Sequence, residues 1–441
     1  MKVSKIGLIS RKIDRVNEQF PVQDMLVQTG QITQYASGVY AYGHIPYLVK
    51  NNIKSVISEV LAKYDCCEVA LPLLQPESMW IESDRLQKYI DEHVMFRVLT
   101  KEGNYCLAPT AEEAVVAFAK DRIKSYKHLP VTYFQIGEKF RNELRARGFL
   151  LRGKQFEMMD AYSFGRDEND LIEEYAKIKQ AYLEIFDRLN LNVVPVGADS
   201  GSMGGSVSEE FMCLAHFGED NILFDETTGK AFNSELLDRD DAEDYLKNVY
   251  GIENIQNLTS QKAVELGHIF QLGDKYSKSM NVMYTDKNGR PQCIQMGCYG
   301  IGVSRTLAMV YESSIIESNA DRFSGIALPL CLSPYILYIV PKLDDDECRV
   351  QSTKIYERLK QQGVQVLFDD RSDLSIGAKV KDSKIVGTPY VVILGNSLKS
   401  DCVEVENNKT GEKMSFTIDE FISKMIKLQE TKRQNIYLEN L

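Results

Sequence analysis

The sequence predicts an α+β fold in two parts: a large domain built on an antiparallel sheet flanked by helices, and a smaller α/β domain after it. The chain has 441 residues, which is too long for one ordinary core and indicates two or three domains. Up to about residue 330, strand-like and helical segments follow one another without regular alternation, which favours an antiparallel sheet. From about residue 334 they alternate regularly, which predicts βαβ units and a parallel sheet.

The composition is typical of a globular protein in water. Hydrophobic residues make up 44% of the chain and charged residues 26%, which argues against a disordered or fibrous protein. No apolar run approaches the roughly 18 residues that cross a bilayer, and the N-terminal segment MKVSKIGLISRKIDRVNEQF has no apolar core like that of a signal peptide. We therefore expect a cytoplasmic protein with no membrane partner.

The cysteines and histidines do not form a recognisable metal or disulfide pattern. The nine cysteines include no CxxC pair, and the five histidines show no HxxxH spacing. Neither a disulfide framework nor a structural metal site is therefore expected.

The large domain is predicted to span residues 1–330. PYLVKNNIKSVISEVLAKYD and DENDLIEEYAKIKQAYLEIFDRLNL repeat apolar residues every three to four positions, as amphipathic helices do. The predicted strands are CCEVALPLLQP, VMFRVLT, NYCLAPT, VTYFQIGEKF, MNVMYTD and QCIQMGCYGIGVSR. Residues 196–207 are predicted to form a Gly/Ser-rich loop, and the polar, acidic segment of about 212–265 a small insertion.

The second domain is predicted to span residues 335–441. Its strands YILYIVP, VQVLFDD and PYVVILG alternate with the helices ECRVQSTKIYERLKQQG and AKVKDSKIVG. The change from irregular to regular alternation places the domain boundary between residues 325 and 335.

A cluster of cationic and aromatic residues occupies FRNELRARGFLLRGKQFEMMDAYSF, residues 140–164, in a chain of net charge −11. The period-two alternation of a strand would put Arg141 and Glu143 on one face. A guanidinium such as that of Arg152 binds phosphate, a ring such as Phe156 stacks on a base, and a carboxylate accepts from an exocyclic amine. The pattern indicates a nucleotide-triphosphate site, and a solvated charged hairpin is the alternative.

Two further segments could bind ligands. QMGCYGIGVSR, residues 295–305, has glycines in the wrong order for a dinucleotide fingerprint, but they allow close backbone approach to a ligand, towards which Arg305 would point. In CLAPTAEEAVVAF, Thr110 and Glu112 could hold an amino acid by hydroxyl and carboxylate. The competing interpretation is a capping box in which Thr110 is the N-cap and Glu113 its partner.

Together these segments resemble class II aminoacyl-tRNA synthetases, and within that class the prolyl family. EVALPLLQP is similar to the dimer-forming first motif, FRNE through RGKQFEMMDAYSF to the second, and MGCYGIGVSR to the third. LAPTAEE, GHIFQLGDKYS and FDDR…GTPYVVILG also match the prolyl pattern in the family's order. The resemblance covers nearly the whole chain. It implies a class II catalytic sheet of six to seven antiparallel strands and an α/β anticodon-binding domain.

The resemblance also implies an activity: activation of L-proline with ATP and transfer of the prolyl group to tRNA(Pro), in a homodimer that uses Mg²⁺. Arg141 and Arg305 would be catalytic, and Thr110, Glu112, Arg141 and Met158 would bind proline. The residues expected to bind ATP are Arg141, Glu143, Arg152, Phe156, Glu265, His268 and Arg305.

The chain departs from the family pattern at several positions. Ala111 and Glu209 stand where the family usually has His, Gln155 where it has Glu, and DLSIGAKV (373–380) where it has ERPGVKF. Only about 55 residues form the predicted insertion, so a separate editing protein is expected to clear misacylated alanine. An alternative is a synthetase-like paralogue that makes an adenylate but charges a carrier protein or small molecule, and a third is a catalytically inactive homologue.

Overall fold

The computed structural model describes residues 1–11, 13, 16–199, 207–225, 230–252, 258–316 and 324–433. It divides into two compact units: a sheet unit of residues 37–39 and 54–306, and a terminal unit of residues 1–36, 40–53 and 307–441. Most of the loop predicted at 196–207, and parts of the segment 212–265, lie outside the described residues. No helix in the described part of the chain has both the length and the apolar character that crossing a membrane requires.

The strands in chain order are β1 (Ile32–Ala36), β2 (Val39–Tyr42), β3 (Cys67–Glu68), β4 (Leu74–Pro76), β5 (Phe96–Leu99), β6 (Asn104–Leu107), β7 (Val131–Phe140), β8 (Gln155–Gly165), β9 (Val193–Gly197), β10 (Val207–Leu214), β11 (Asp220–Asp225), β12 (Lys230–Asn233), β13 (Thr259–Gly273), β14 (Met283–Thr285), β15 (Pro291–Cys293), β16 (Gln295–Gly302), β17 (Leu337–Pro341), β18 (Val366–Phe368), β19 (Tyr390–Leu394), β20 (Cys402–Asn407) and β21 (Lys413–Thr417).

The helices are α1 (Pro21–Gln28), α2 (His44–Lys63), α3 (Glu77–Glu82), α4 (Leu86–Asp91), α5 (Glu112–Lys120), α6 (Glu168–Arg188), α7 (Ala242–Tyr245), α8 (Lys275–Ser279), α9 (Val303–Glu312), α10 (Asp346–Gln361), α11 (Ile376–Val386) and α12 (Ile418–Arg433). The long amphipathic helices predicted from the apolar periodicity correspond to α2 and α6.

The sheet unit is built on a mainly antiparallel sheet, as predicted. Among the described residues it has nine strands in the order β10–β9–β12–β11–β13–β16–β8–β7–β3, with β10 also paired to β13. The β3–β7 and β9–β12 pairs are parallel, and the others are antiparallel. The expectation of six to seven strands is too low, because β11 and β12 of the segment 212–265 join the same sheet.

Helix α6 covers one face of this sheet. Its N-cap Asp167 accepts a hydrogen bond from the Asp170 N–H, and the acidic first turn complements the helix dipole. Its apolar stripe, which includes Ile178, Tyr182 and Ile185, is fully buried. Each such side chain contributes roughly 1.5–3 kcal/mol of burial free energy, which fixes the helix on the sheet.

The opposite face is covered at one end by α5. Val115, Val116 and Ala119 pack in one apolar cluster with Tyr162 and Phe164 of β8. Because side chains alternate along a strand, the residues of β8 that precede Tyr162 by two, four and six positions lie on this same face. We call this the site face.

The terminal unit contains a five-stranded sheet in the order β18–β17–β19–β20–β21. The parallel pairing predicted from the alternation is correct for β17, β18 and β19 but wrong as a description of the whole sheet. β20 and β21 pair antiparallel, because the five residues between them are too few for a parallel crossover. Segment 373–380 supplies the N-cap Ser375 and the first turn of α11.

Candidate active site

The site face carries a row of polar residues across the sheet. Asp160 of β8 lies opposite Gly300 of β16, Gly300 lies opposite His268 of β13, and His268 lies opposite Glu210 of β10. Phe156 and Met158 precede Asp160 on the same face. A Cβ at Gly300 would lie 3.0 Å from Met158 Cε, so the glycine leaves room for that side chain.

Arg141 and Phe156 come together, although not as the strand pattern predicts. Strand β7 ends at Phe140, so the expectation that Arg141 and Glu143 share one face of a strand is wrong. The Glu143 N–H instead donates to the Arg141 carbonyl at 2.7 Å, which makes a tight turn. The Arg141 guanidinium carbon lies 5.2 Å from the centre of the Phe156 ring, and its Nε donates to the Pro109 carbonyl at 3.2 Å. A cation and an aromatic face are thus presented side by side.

Arg305, Glu265 and His268 form a second group. Arg305 Nη1 donates to the Glu265 carboxylate at 2.9 Å and its Nε to the Leu151 carbonyl at 3.0 Å. His268 Nδ1 lies 3.3 Å from Glu265 Oε1. Residues three apart lie on opposite faces of a regular strand, but the β10–β13 register skips Leu266, and this bulge turns both side chains to one side.

Charges in this group shift the protonation of two carboxyls. Burial and the negative charge of Glu265 raise the pKa of Glu210 to about 7. Burial also acts to raise the pKa of Glu265, but the hydrogen bond from His268 and the charge of Arg305 outweigh it and lower that pKa. The pKa values of Glu210 and Glu265 are therefore shifted in opposite directions.

A cleft of about 450 Å³, including space open to solvent, adjoins these residues, and much of its lining comes from outside the predicted motifs. Arg152 lines it together with Arg305, Glu210 and Glu265. Glu219, from the segment predicted as an insertion, lies 2.5 Å from Arg147 Nε and 3.6 Å from Arg152 Nε. One carboxylate from outside the motifs thus pairs with two arginines of the 140–164 segment.

Thr110 and Glu112 lie at the end of the site face that α5 covers. The predicted capping box is wrong: α5 begins at Glu112 with Ala111 as its N-cap and no side-chain cap. The Thr110 hydroxyl instead donates to Glu112 Oε2 at 2.6 Å, and the Cys298 thiol lies 3.3 Å from Glu112 Oε1. Glu112 is completely buried, and Arg85 Nη1 lies 3.2 Å from its Oε2.

A buried ion pair lies at the Asp160 end of the row. Lys139 Nζ contacts Asp160 Oδ1 at 2.6 Å, and Gln135 and Tyr162 donate to the other carboxylate oxygen. Tyr162 Oη in turn accepts from the Ala111 N–H at 3.2 Å. This chain of hydrogen bonds links β7 and β8 to the start of α5, so Ala111 contributes its backbone where the family usually has a histidine side chain.

The other departures from the family pattern lie away from this face. Glu209 accepts hydrogen bonds from Tyr175 and Lys179 of α6, on the opposite side of the sheet from Glu210. Gln155 is exposed at the start of β8. The two substitutions therefore leave the row of site-face residues unchanged.

Comparison with known proteins identifies the family of the chain. The core domain of class II tRNA synthetases for G, H, P, S and T matches residues 96–314, and an anticodon-binding domain matches residues 335–428. The chain is 34% identical over 425 residues to the proline–tRNA ligase of Rickettsia bellii (strain OSU 85-389), covering 93% of this chain and 95% of the relative. It is 35% identical over 442 residues to that of Sulfurimonas denitrificans, covering 97% and 100%.

The fold also matches a solved structure. Prolyl-tRNA synthetase from Cryptosporidium parvum, in complex with halofuginone and AMPPNP, superposes with a TM-score of 0.74 at 19% identity, covering 96% of this chain and 80% of that one. The antiparallel sheet with its three motifs and the anticodon-binding domain define a class II aminoacyl-tRNA synthetase. Within that class, the chain belongs to the proline–tRNA ligase family.

Proposed function

We propose that this chain is a proline–tRNA ligase that activates L-proline with ATP and transfers the prolyl group to tRNA(Pro). The proposal rests on the site face, along which lie three groups of side chains: Phe156 with Arg141, Arg305 with Glu265, and Thr110 with Glu112. Nucleotide, phosphate and amino-acid ligands each have chemically matched groups there. The anticodon-binding domain supports tRNA as the acceptor.

The mechanism needs no protein nucleophile. The proline carboxylate attacks the α-phosphorus of ATP, the bond to pyrophosphate breaks, and prolyl-adenylate forms. Arg141 holds the α-phosphate and the proline carboxylate, and Arg305 holds the γ-phosphate, so the reactants are aligned while charge develops on the phosphoryl oxygens. A ribose hydroxyl at the 3′ end of tRNA then attacks the prolyl carbonyl and releases AMP.

Ligand recognition is divided among the other residues. Phe156 stacks on the adenine, Glu143 accepts from its amine, and Arg152 and His268 complete the ATP site. Glu112 and Thr110 hold the proline ammonium. Met158, beside Gly300, lines the proline pocket.

Mg²⁺ would bind beside the ATP phosphates. Glu210, Glu265 and His268 have donor atoms within 4.8 Å of one another, and the carboxylate oxygens of Glu210 and Glu265 are the donors that Mg²⁺ prefers. When bound, the cation neutralises phosphate charge in a cleft that is otherwise rich in carboxylates.

A homodimer, a cytoplasmic location and a separate editing protein complete the proposal. Leu73, Leu74, Ile81 and Leu99, in and near the segment that resembles the dimer-forming motif, are 38–66% exposed. These aliphatic side chains would be covered in a homodimer. Light scattering of the wild type and a Leu74→Glu variant tests this, since a dimeric wild type and a monomeric variant are expected.

The first test is pyrophosphate exchange with each of the twenty amino acids, followed by charging of a tRNA(Pro) transcript. We expect exchange with proline and charging with proline. Exchange without charging would favour an adenylate-forming paralogue, and no exchange with any amino acid would overturn the proposal. Alanyl-tRNA(Pro) that accumulates in the same assay would support the need for a separate editing protein.

A further inference from the structure

Arg85 has no place in the motifs, yet it contacts the carboxylate proposed to bind the amino acid. It lies just before α4, 27 residues from Glu112 along the chain, and is 4% exposed. Its Nη1 lies 3.2 Å from Glu112 Oε2 and 2.9 Å from Glu113 Oε1. One guanidinium nitrogen therefore bridges two adjacent buried carboxyls.

The guanidinium is held rigidly. The ring centres of Trp80, Tyr89 and Tyr276 lie 5.2, 4.6 and 5.2 Å from its central carbon, and Nη2 donates to the Tyr89 hydroxyl. A cation enclosed by three aromatic rings has few orientations available. Arg85 can therefore hold the side chains that it contacts in a defined orientation.

The pKa values of the two carboxyls next to Arg85 are shifted in opposite directions. The pKa of Glu113 is raised by burial and by the charge of Glu112, and its Oε2 has no hydrogen-bond partner among the described residues. Burial acts to raise the pKa of Glu112 as well, but the charge of Arg85 and the Thr110 hydroxyl lower it overall. Arg85 thus supports one ionised carboxylate, Glu112.

We propose that Arg85 is a positioning residue for amino-acid binding: it holds the Glu112 carboxylate in the orientation that accepts the ammonium group of proline. This inference rests on the proposed function. The ammonium of proline would donate to this same carboxylate, whose Oε2 already faces Arg85 Nη1. In this proposal Arg85 acts through Glu112 and not by its own contact with the amino acid or ATP.

Arg85→Gln tests this in pyrophosphate exchange, with proline and ATP titrated separately. We expect the KM for proline to rise about 10- to 100-fold, the range found for partners that orient metal ligands, while the KM for ATP stays within about twofold. Arg85→Lys keeps the charge but not the fork, so an intermediate KM for proline is expected. Arg97→Gln is the control, since Arg97 pairs with Glu77 at 2.6 Å and has no ion pair or hydrogen bond to a proposed site residue within the described ranges.

A double-mutant cycle with Glu112→Gln separates positioning from general damage. If Arg85 acts through Glu112, Arg85→Gln adds little to the KM for proline once Glu112 is altered. An unchanged KM for proline in Arg85→Gln, an equal rise in both KM values, or additive effects in the cycle would each overturn the inference. If Arg85→Gln does not fold, the Arg85→Lys variant provides the test. A wild-type KM for proline in Arg85→Lys would then overturn the inference.

Proline-dependent exchange by the wild type distinguishes a failure of the proposed function from a failure of the role proposed for Arg85. Absence of proline-dependent exchange in the wild-type chain counts against the proposed function itself. Exchange in the wild type together with an unaffected Arg85→Gln variant counts against the role of Arg85 alone.

Discussion

Replacing Phe156 by leucine tests the adenine platform most directly. The ring is partly exposed on the site face, and the Arg141 guanidinium carbon lies 5.2 Å from its centre. Leucine keeps apolar bulk but has no π-face. A base stacked on an aromatic side chain gains about 1–3 kcal/mol, and a cation–π contact at a partly exposed site about 0.5–1 kcal/mol.

Because leucine retains some apolar contact with the base, we expect a net loss of about 1–2 kcal/mol, which is roughly a 5- to 30-fold higher KM for ATP. The KM for proline should change by less than about twofold, and Phe156→Tyr should be close to wild type. Pyrophosphate exchange with each substrate titrated in turn gives both constants.

Phe140→Leu is the control for the loss of an aromatic ring nearby. Lys139, not Phe140, lies opposite Phe156, so Phe140 projects to the other face of the sheet. We expect its KM for ATP to match the wild type. An unchanged KM for ATP in Phe156→Leu, or a rise in the KM for proline instead, would refute the stacking role.

Three other substitutions follow from the geometry. Glu219→Gln should lower the KM for ATP about two- to fivefold, because it frees Arg152 from a partly exposed ion pair, and a rise in that KM would show that Glu219 positions the arginine productively. Glu312→Gln should remove a pH dependence of Tm. Burial raises the pKa of Glu312 from 4.5 to about 7, so the folded state binds more protons than the unfolded state between these two pH values. The stability of the wild type therefore falls as the pH rises from 4.5 to about 7. Parallel Tm–pH curves for the two proteins would contradict this. Lys139→Met leaves Asp160 buried without its cation. We expect the free energy of unfolding, measured by urea titration with exchange activity as the readout, to fall by about 3–5 kcal/mol. A fall of less than about 1 kcal/mol would argue against a stabilising ion pair.

Features that depend on spacing within one element were predictable from the sequence. Helices α2 and α6 follow from apolar residues repeated every three to four positions, and the βαβ part from regular alternation. The motifs, taken in order, also pointed to the family and to the proposed ligands of ATP and proline.

Contacts between side chains that are distant in the sequence were not predictable in this way. Arg85 with Glu112, Glu219 with Arg152, and the row from Asp160 to Glu210 join residues separated by tens of positions in the chain. Such contacts depend on strand order and register, which no local period encodes.

The same reason explains the local predictions that were wrong. The capping box fits the spacing of Thr110 and Glu113, but Glu113 contacts Arg85 and Ser83, and the Thr110 hydroxyl is drawn to Glu112. A cap predicted from spacing competes with partners brought in by the fold. Here the partners are a buried guanidinium and a buried carboxylate. Their contacts form in place of the cap, because an unpaired buried charge costs more free energy than a lost cap.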